Sequence, residues 1–114
     1  MASSYESRRT WTSWRKANYR FFESKLSYLP KESSLVDIGA GPEQFRDITW
    51  RFKKTSVDFK QYGTTDIVSD ITKSIPLSPA IADIVYLSNV LEHMPYGDTI
   101  LKECHRILKP TGII

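Results

Sequence analysis

The sequence predicts an α/β fold, a parallel sheet with helices on both faces, on three observations. Short apolar runs rich in Val, Ile and Leu alternate with longer stretches at helical spacing. One such run, Leu35–Ile38, passes at once into a glycine turn, Gly39 and Gly41, with Pro42 behind it. Another, Ala82–Ser88, has the continuous apolar character of a strand covered on both faces.

In chain order, residues 1–10 are polar and offer no helix cap. From Trp11 to Leu29 the helical wheel gathers Trp11, Trp14, Phe21, Phe22, Leu26 and Leu29 on one side, with Lys16, Arg20 and Glu23 opposite. Pro30 ends this amphipathic helix, and Lys31–Ser34 lead into the first strand, Leu35–Ile38. Pro42 suits a first helical turn, and Phe45, Ile48, Thr49 and Phe52 follow at helical spacing, with Lys53 and Lys54 closing the helix dipole. Thr55–Phe59 is a second strand ending at Asp58, and Asp66–Ser69 a brief third that delivers Asp70. Pro76 and Pro79 exclude a regular element over Ser74–Ala82.

Ala82–Ser88 is the fourth strand, after which Asn89–Met94 turns away. Asp98 is placed as the N-cap of a helix lined by Ile100, Leu101, Cys104, Ile107 and Leu108, stopped by Pro110 and Gly112. Ile113 and Ile114 read as the first residues of a fifth strand, which would leave the fourth near an exposed apolar edge. The reading is therefore a sheet truncated at the start of strand five, the N-terminal piece of a longer protein. Residues 1–34 form an N-terminal amphipathic helix and loop, and residues 35–114 a partial domain.

At 114 residues, 40% hydrophobic and 25% charged, the chain has the length of one globular domain. The lone Cys104 excludes an internal disulfide framework, and no HExxH or paired CxxC motif marks a metal site. No apolar run is long enough for a signal core or a membrane span, so the expectation is a cytoplasmic protein. The net charge of +3 is uneven: residues 1–34 carry 7 basic and 3 acidic side chains, and the remainder 9 and 10. Arg8, Arg9, Arg15 and Lys16 among Trp11, Trp14 and Tyr19 could meet nucleic acid. A solvated docking helix accounts for the same pattern, and is favoured.

The glycine turn sits where a chain leaves a buried strand and opens a helix whose free N–H groups face a ligand. Asp58 follows about twenty residues later, the distance at which an acid on the next strand reaches ribose hydroxyls. Taken together, VDIGAGP at 36–42, SVDF at 56–59, VSDITKSIPL at 68–77 and ADIVYLSNVLEHM through CHRILKPTG at 82–112 resemble the N-terminal half of a class I S-adenosylmethionine-dependent methyltransferase of the small-molecule type.

That resemblance implies a Rossmann-like sheet with S-adenosyl-L-methionine as cofactor. Gly39 and Gly41 would approach its methionine end, with Asp37 organising the loop or reaching the amino group through water. Asp58 would accept from the ribose hydroxyls and Phe59 stack on adenine. Asp70 and Ile71 would hold the adenine ring, the acid receiving its exocyclic amine, and Ser88 would offer a backbone contact to the amino acid portion. His93 is the candidate for proton transfer, with a substrate-lining role as the favoured alternative. Glu92 would hold its turn through backbone N–H groups, while Cys104 and His105 are packing residues.

The resemblance implies methyl transfer to a small-molecule or saccharide-like acceptor by the complete protein, with the 114-residue piece inactive. Two departures stand out: Glu43 and Gln44 occupy the place of a third glycine, and Thr111 follows Lys-Pro where glycine is usual. A dinucleotide-binding domain fits less well, because Gln44 replaces the small residue that lets helix and strand pack closely. A noncatalytic module of the same fold, binding partners or nucleic acid through the basic N-terminal helix, is the reading from another functional class.

Overall fold

The computed structural model of the protein describes residues 12–39, 45–63, 65–88 and 97–114. Among them are three helices, α1 (Ser13–Leu26), α2 (Arg46–Thr49) and α3 (Gly97–Ile107), and five strands. The strands are β1 (Ser34–Ile38), β2 (Lys53–Asp58), β3 (Ile67–Val68), β4 (Ala82–Leu87) and β5 (Leu108–Ile113). They form one parallel sheet in the order β3-β2-β1-β4-β5. This is the parallel, Rossmann-like sheet that the alternation of runs predicts.

Period-two alternation divides the apolar side chains between two cores. On one face Val36, Ile38, Val57 and Val85 meet Ile100, Cys104 and Ile107 of α3, together with Ile71 and Ile75 from the segment after β3. On the other, Leu35, Ile84 and Tyr86 meet Tyr19, Phe22 and Leu26 of α1 and Phe45, Ile48 and Phe52 around α2. Cys104 is accordingly a buried packing residue, whereas His105, expected to pack as well, faces outward and is exposed.

Several element readings are corrected. α1 is capped by Thr12, whose hydroxyl accepts from the Arg15 N–H at 3.1 Å, and its inward stripe is Tyr19, Phe22 and Leu26. Trp14 and Phe21 stand 61% and 54% exposed. The apolar wheel had favoured them over Tyr19, which is drawn inward because its hydroxyl donates to Asp47 of α2 at 2.6 Å. α2 is a single turn, because Phe45, Ile48, Thr49 and Phe52 are all buried by one turn and the reversal after it. Lys53 and Lys54 do not close that helix; they open β2, where the Lys53 N–H donates to Ser33 at 3.0 Å and pairing with β1 begins.

α3 starts at Gly97, so Asp98 lies in its first turn and is not the cap. The helix runs to Ile107, and Leu108 pairs directly with Ala82, so β5 is a six-residue strand containing Pro110 and Gly112. Proline is tolerated because β5 lies at the sheet edge. The fourth strand is thus covered, and the edge belongs to β5. Between the pairs Ala82–Leu108 and Ile84–Ile113, residues 109–112 stand opposite Asp83 alone. Lys109 pairs with the Asp83 carboxylate at 3.1 Å, and a Cβ on Gly112 would come within 2.8 Å of the Asp83 carbonyl. Gly112 is therefore required by close approach of two strands.

The ends of neighbouring strands are tied by a recurring device. The Ser34 N–H donates to the Asp83 carboxylate at 2.9 Å, and the Asp83 N–H donates to the Ser34 hydroxyl at 2.9 Å. Ser56 and Asp66 repeat the exchange at 2.8 and 2.9 Å. Each pair satisfies backbone donors that a strand end would otherwise bury unpaired. No helix among the described residues is long and apolar enough to cross a membrane.

Candidate functional site

In an open parallel sheet, ligands bind beyond the carboxyl ends of the strands, where the order of connection reverses. Here that point lies between β1 and β4, which pair with Ile38 opposite Leu87. Ile38 also stands opposite Val57 of β2. The carboxyl ends of β1, β2 and β4 therefore lie level, bringing Gly39, Asp58 and Ser88 to one edge.

Gly39 leaves β1 with φ 67°, a left-handed conformation that a side chain disfavours, and its N–H donates to the Val57 carbonyl at 2.7 Å. Asp58 ends β2 buried, with Oδ1 accepting from the Phe59 N–H at 2.7 Å. Its carbonyl accepts from Ser69 at 2.8 Å, bringing the exit of β3 alongside. Phe59 projects outward, 59% exposed. Two residues past β3, Asp70 accepts from both the N–H and the hydroxyl of Thr72. These bonds hold its carboxyl below the usual range and fold a tight turn. Ile71 is buried in the core beneath that turn.

Asp37 is set one residue inside β1 and is buried, in register with Ser56 and Tyr86. Burial lifts its carboxyl from 3.8 to about 7, with the Lys54 charge drawing it down and Asp58 pushing it up. Lys54 is itself lowered, chiefly by burial, with Asp37 and Asp66 acting the other way. Tyr86 is raised by burial and by the Asp37 charge; the Ser88 hydroxyl works in the opposite direction. The Tyr86 and Ser88 hydroxyls lie close, but neither makes a hydrogen bond of ordinary geometry among the described residues.

The fold thus brings together Asp37, Gly39, Asp58 and Ser88, with Asp70 and Phe59 at the rim. Gly41, Glu43, Gln44, Glu92 and His93 lie outside the described residues. Lys54, whose charge draws the Asp37 carboxyl down, and Tyr86, in register with Asp37 on β4, were not singled out in the sequence. The signal for Tyr86 was available, since a tyrosine two residues after Ile84 in a strand shares its face. Lys54 was hidden by its apparent place at a helix end. Among the described residues no cluster of His, Cys, Asp or Glu is arranged to hold a metal ion.

A family model described as a methyltransferase domain matches residues 36–114. Among curated proteins, a ubiquinone biosynthesis O-methyltransferase of Pseudomonas syringae pv. tomato is 26% identical over 77 residues, covering 68% of this chain and 30% of that protein. Among solved structures, a candidate S-adenosyl-L-methionine-dependent methyltransferase of Methanococcus maripaludis superposes with a TM-score of 0.69 at 20% identity, over 87% of this chain and 55% of that one. Phosphoethanolamine N-methyltransferase 2 of Haemonchus contortus, solved with phosphomonomethylethanolamine and S-adenosylhomocysteine, gives a TM-score of 0.65 at 16% identity, over 88% of this chain and 27% of that one. The chain spans about a third of the curated relative's length and from a quarter to about half of these solved structures. With a glycine corner at the sheet's switch point, a buried acid ending the next strand and a family match running from residue 36 to residue 114, the chain belongs to the class I S-adenosylmethionine-dependent methyltransferases.

Proposed function

We propose that the complete protein carrying this domain transfers a methyl group from S-adenosyl-L-methionine to a small-molecule or saccharide-like acceptor. The observation that carries the reading is the convergence of Gly39, Asp58 and the Asp70 turn on one sheet edge, each with the chemistry the cofactor needs. At φ 67° and without a side chain, Gly39 lets a ligand approach the end of β1. Asp58 can accept from two vicinal hydroxyls. Asp70 offers acceptor oxygens to an exocyclic amine, and Phe59 an exposed ring face to a planar base. Ser88 borders the amino acid portion, and Asp37 organises the corner from behind β1.

The cofactor supplies an electrophilic methyl group on its sulfonium. The protein's residues bind, orient and exclude water, and holding reactants in line is worth ~7–11 kcal/mol as effective molarity. His93 is assigned to the acceptor side, lining the pocket in preference to moving a proton. The acceptor surface draws on the N-terminal helix within residues 1–34. The expected setting is the cytoplasm.

Calorimetric titration of the complete polypeptide with S-adenosylhomocysteine tests the proposal. Saturable heat and a rise in melting temperature are expected; silence in both at millimolar ligand sinks it. A His93→Asn variant that keeps the pH profile of kcat supports lining, whereas loss of its acidic limb, the fall in kcat as an essential base is protonated, assigns proton transfer.

A second reading, a noncatalytic module contacting nucleic acid, draws support from the outer face of α1, where Lys16 and Arg20 are exposed beside Trp14. Salt-dependent oligonucleotide binding that disappears on neutralising Arg8, Arg9, Arg15 and Lys16 would favour it.

A further inference from the structure

Glu103 and Arg106 lie near the end of α3, one helical turn apart, and reach across to the segment following β3. Arg106 donates from Nε to Glu103 Oε2 at 2.8 Å and from Nη2 to Oε1 at 2.9 Å. Its Nη1 donates to the Leu77 carbonyl at 2.8 Å, and Nη2 also to the Ile75 carbonyl at 2.7 Å. Glu103 Oε1 accepts from the Ile75 N–H at 2.8 Å. Both backbone groups of Ile75 are therefore held by one side-chain pair, while its own side chain is buried in the core.

The segment so held begins at the Asp70 turn. It is anchored upstream where Ser69 donates to Asp58, and downstream by this pair. Between the anchors lie Asp70 and Ile71, and the backbone from Ile71 to Ile81 forms no regular element of its own. Pro76 removes one backbone donor, so side chains of α3 take the place of a neighbouring strand. The guanidinium suits this task, since its fork presents several donors in fixed directions at once.

We infer that Glu103 and Arg106 are positioning residues for the cofactor's adenine: they fix the Asp70–Leu77 strap so that the Asp70 carboxylate meets the exocyclic amine at a set distance. The inference rests on the proposed assignment of Asp70 to adenine. Neither residue touches the ligand. Their effect is selective for the base, because the strap carries the base-reading residue whereas Gly39 and Asp58 stand on the sheet itself.

The test compares S-adenosylhomocysteine with S-inosylhomocysteine, in which a carbonyl replaces the amine, by calorimetry on the complete polypeptide. The wild type is expected to prefer the adenine ligand by about tenfold or more, the scale of one hydrogen bond made or lost against a charged acceptor. Arg106→Gln should bring that preference to about twofold and speed hydrogen exchange at the Ile75 amide. Glu103→Gln, which keeps the side chain's shape, should do so in part and decides the matter if the arginine variant fails to fold. If both variants weaken the two ligands equally, the pair only supports the fold and the inference is overturned while the functional proposal stands. If the wild type binds neither ligand, the functional proposal falls and takes the inference with it.

Discussion

Burial keeps the Asp37 carboxyl protonated up to about pH 7, against an ordinary value of 3.8. Between those values the folded chain binds more protons at this site than the unfolded chain, so stability falls as pH rises through the window and is lowest above it. The gap is worth at most ~4 kcal/mol between the two protonation states. Urea unfolding should show the wild type losing stability between pH 5 and pH 8, with Asp37→Asn flattening that slope; an unchanged slope would remove Asp37 as its source. At the strand end, Asp58→Ala should weaken S-adenosylhomocysteine by about tenfold or more, as expected for a lost charged acceptor. Gly112→Ala should cost ~1–3 kcal/mol, since its Cβ would press on the Asp83 carbonyl and the Leu108 side chain. A melting temperature within a degree of wild type would contradict that.

Among the elements, the Glu103–Arg106 pair makes a second pH window. Arg106 first, then the Ile75 N–H, hold the Glu103 carboxyl at about 2 against 4.5. Its contribution is present above pH 4.5 and is lost as pH falls toward 2. Glu103→Gln should therefore lower stability at neutral pH while making it less sensitive to acid over that range, a comparison that acid titration of the near-ultraviolet signal can make. β1 and β4 were legible because apolar runs of the right length have few other uses, and both match the expected spans within a residue; β5 was not, since Leu108 and Pro110 read as the end of a helix. The helix boundaries were not, because they depend on contacts distant in sequence. Tyr19 turns inward for Asp47, the turn around α2 ends where Phe52 is already buried, and Lys53 is claimed by pairing to β1. The turn at Gly39 and the strand-end place of Asp58 were legible from spacing, whereas Lys54 and Tyr86 come beside Asp37 only when strands distant in sequence pair, and Arg106 reaches Ile75 and Leu77 only when α3 packs against the segment after β3.

At the scale of the whole molecule, the described residues leave an opening at the β5 side of the sheet. A cavity of about 500 Å³ opens between α1 and the β4–β5 edge, with Phe21, Phe22, Tyr86, Leu101, Ile113 and Ile114 in its walls. Phe21, Ile113 and Ile114 are more than 40% exposed, and β5 has no partner strand on its outer side among the described residues. An apolar edge of this kind templates further pairing. The 114-residue chain should therefore associate with rising concentration in sedimentation experiments, and Ile113→Lys should suppress that association; a monomer at high concentration would argue against an adhesive edge.

The placement of β1 between β2 and β4 also bears on how the domain is made. The Ser34–Asp83 tie that aligns the two strands spans 49 residues. At ~5–20 residues per second of synthesis, the glycine corner leaves the ribosome roughly 2 to 10 s before its second wall exists. During that interval β1 has α1, α2, β2 and, last, the Ile71–Ile75 segment after β3 to meet, but neither β4 nor α3. Ribosome-bound chains stalled before β4 should therefore be captured by chaperones, and those stalled beyond it released.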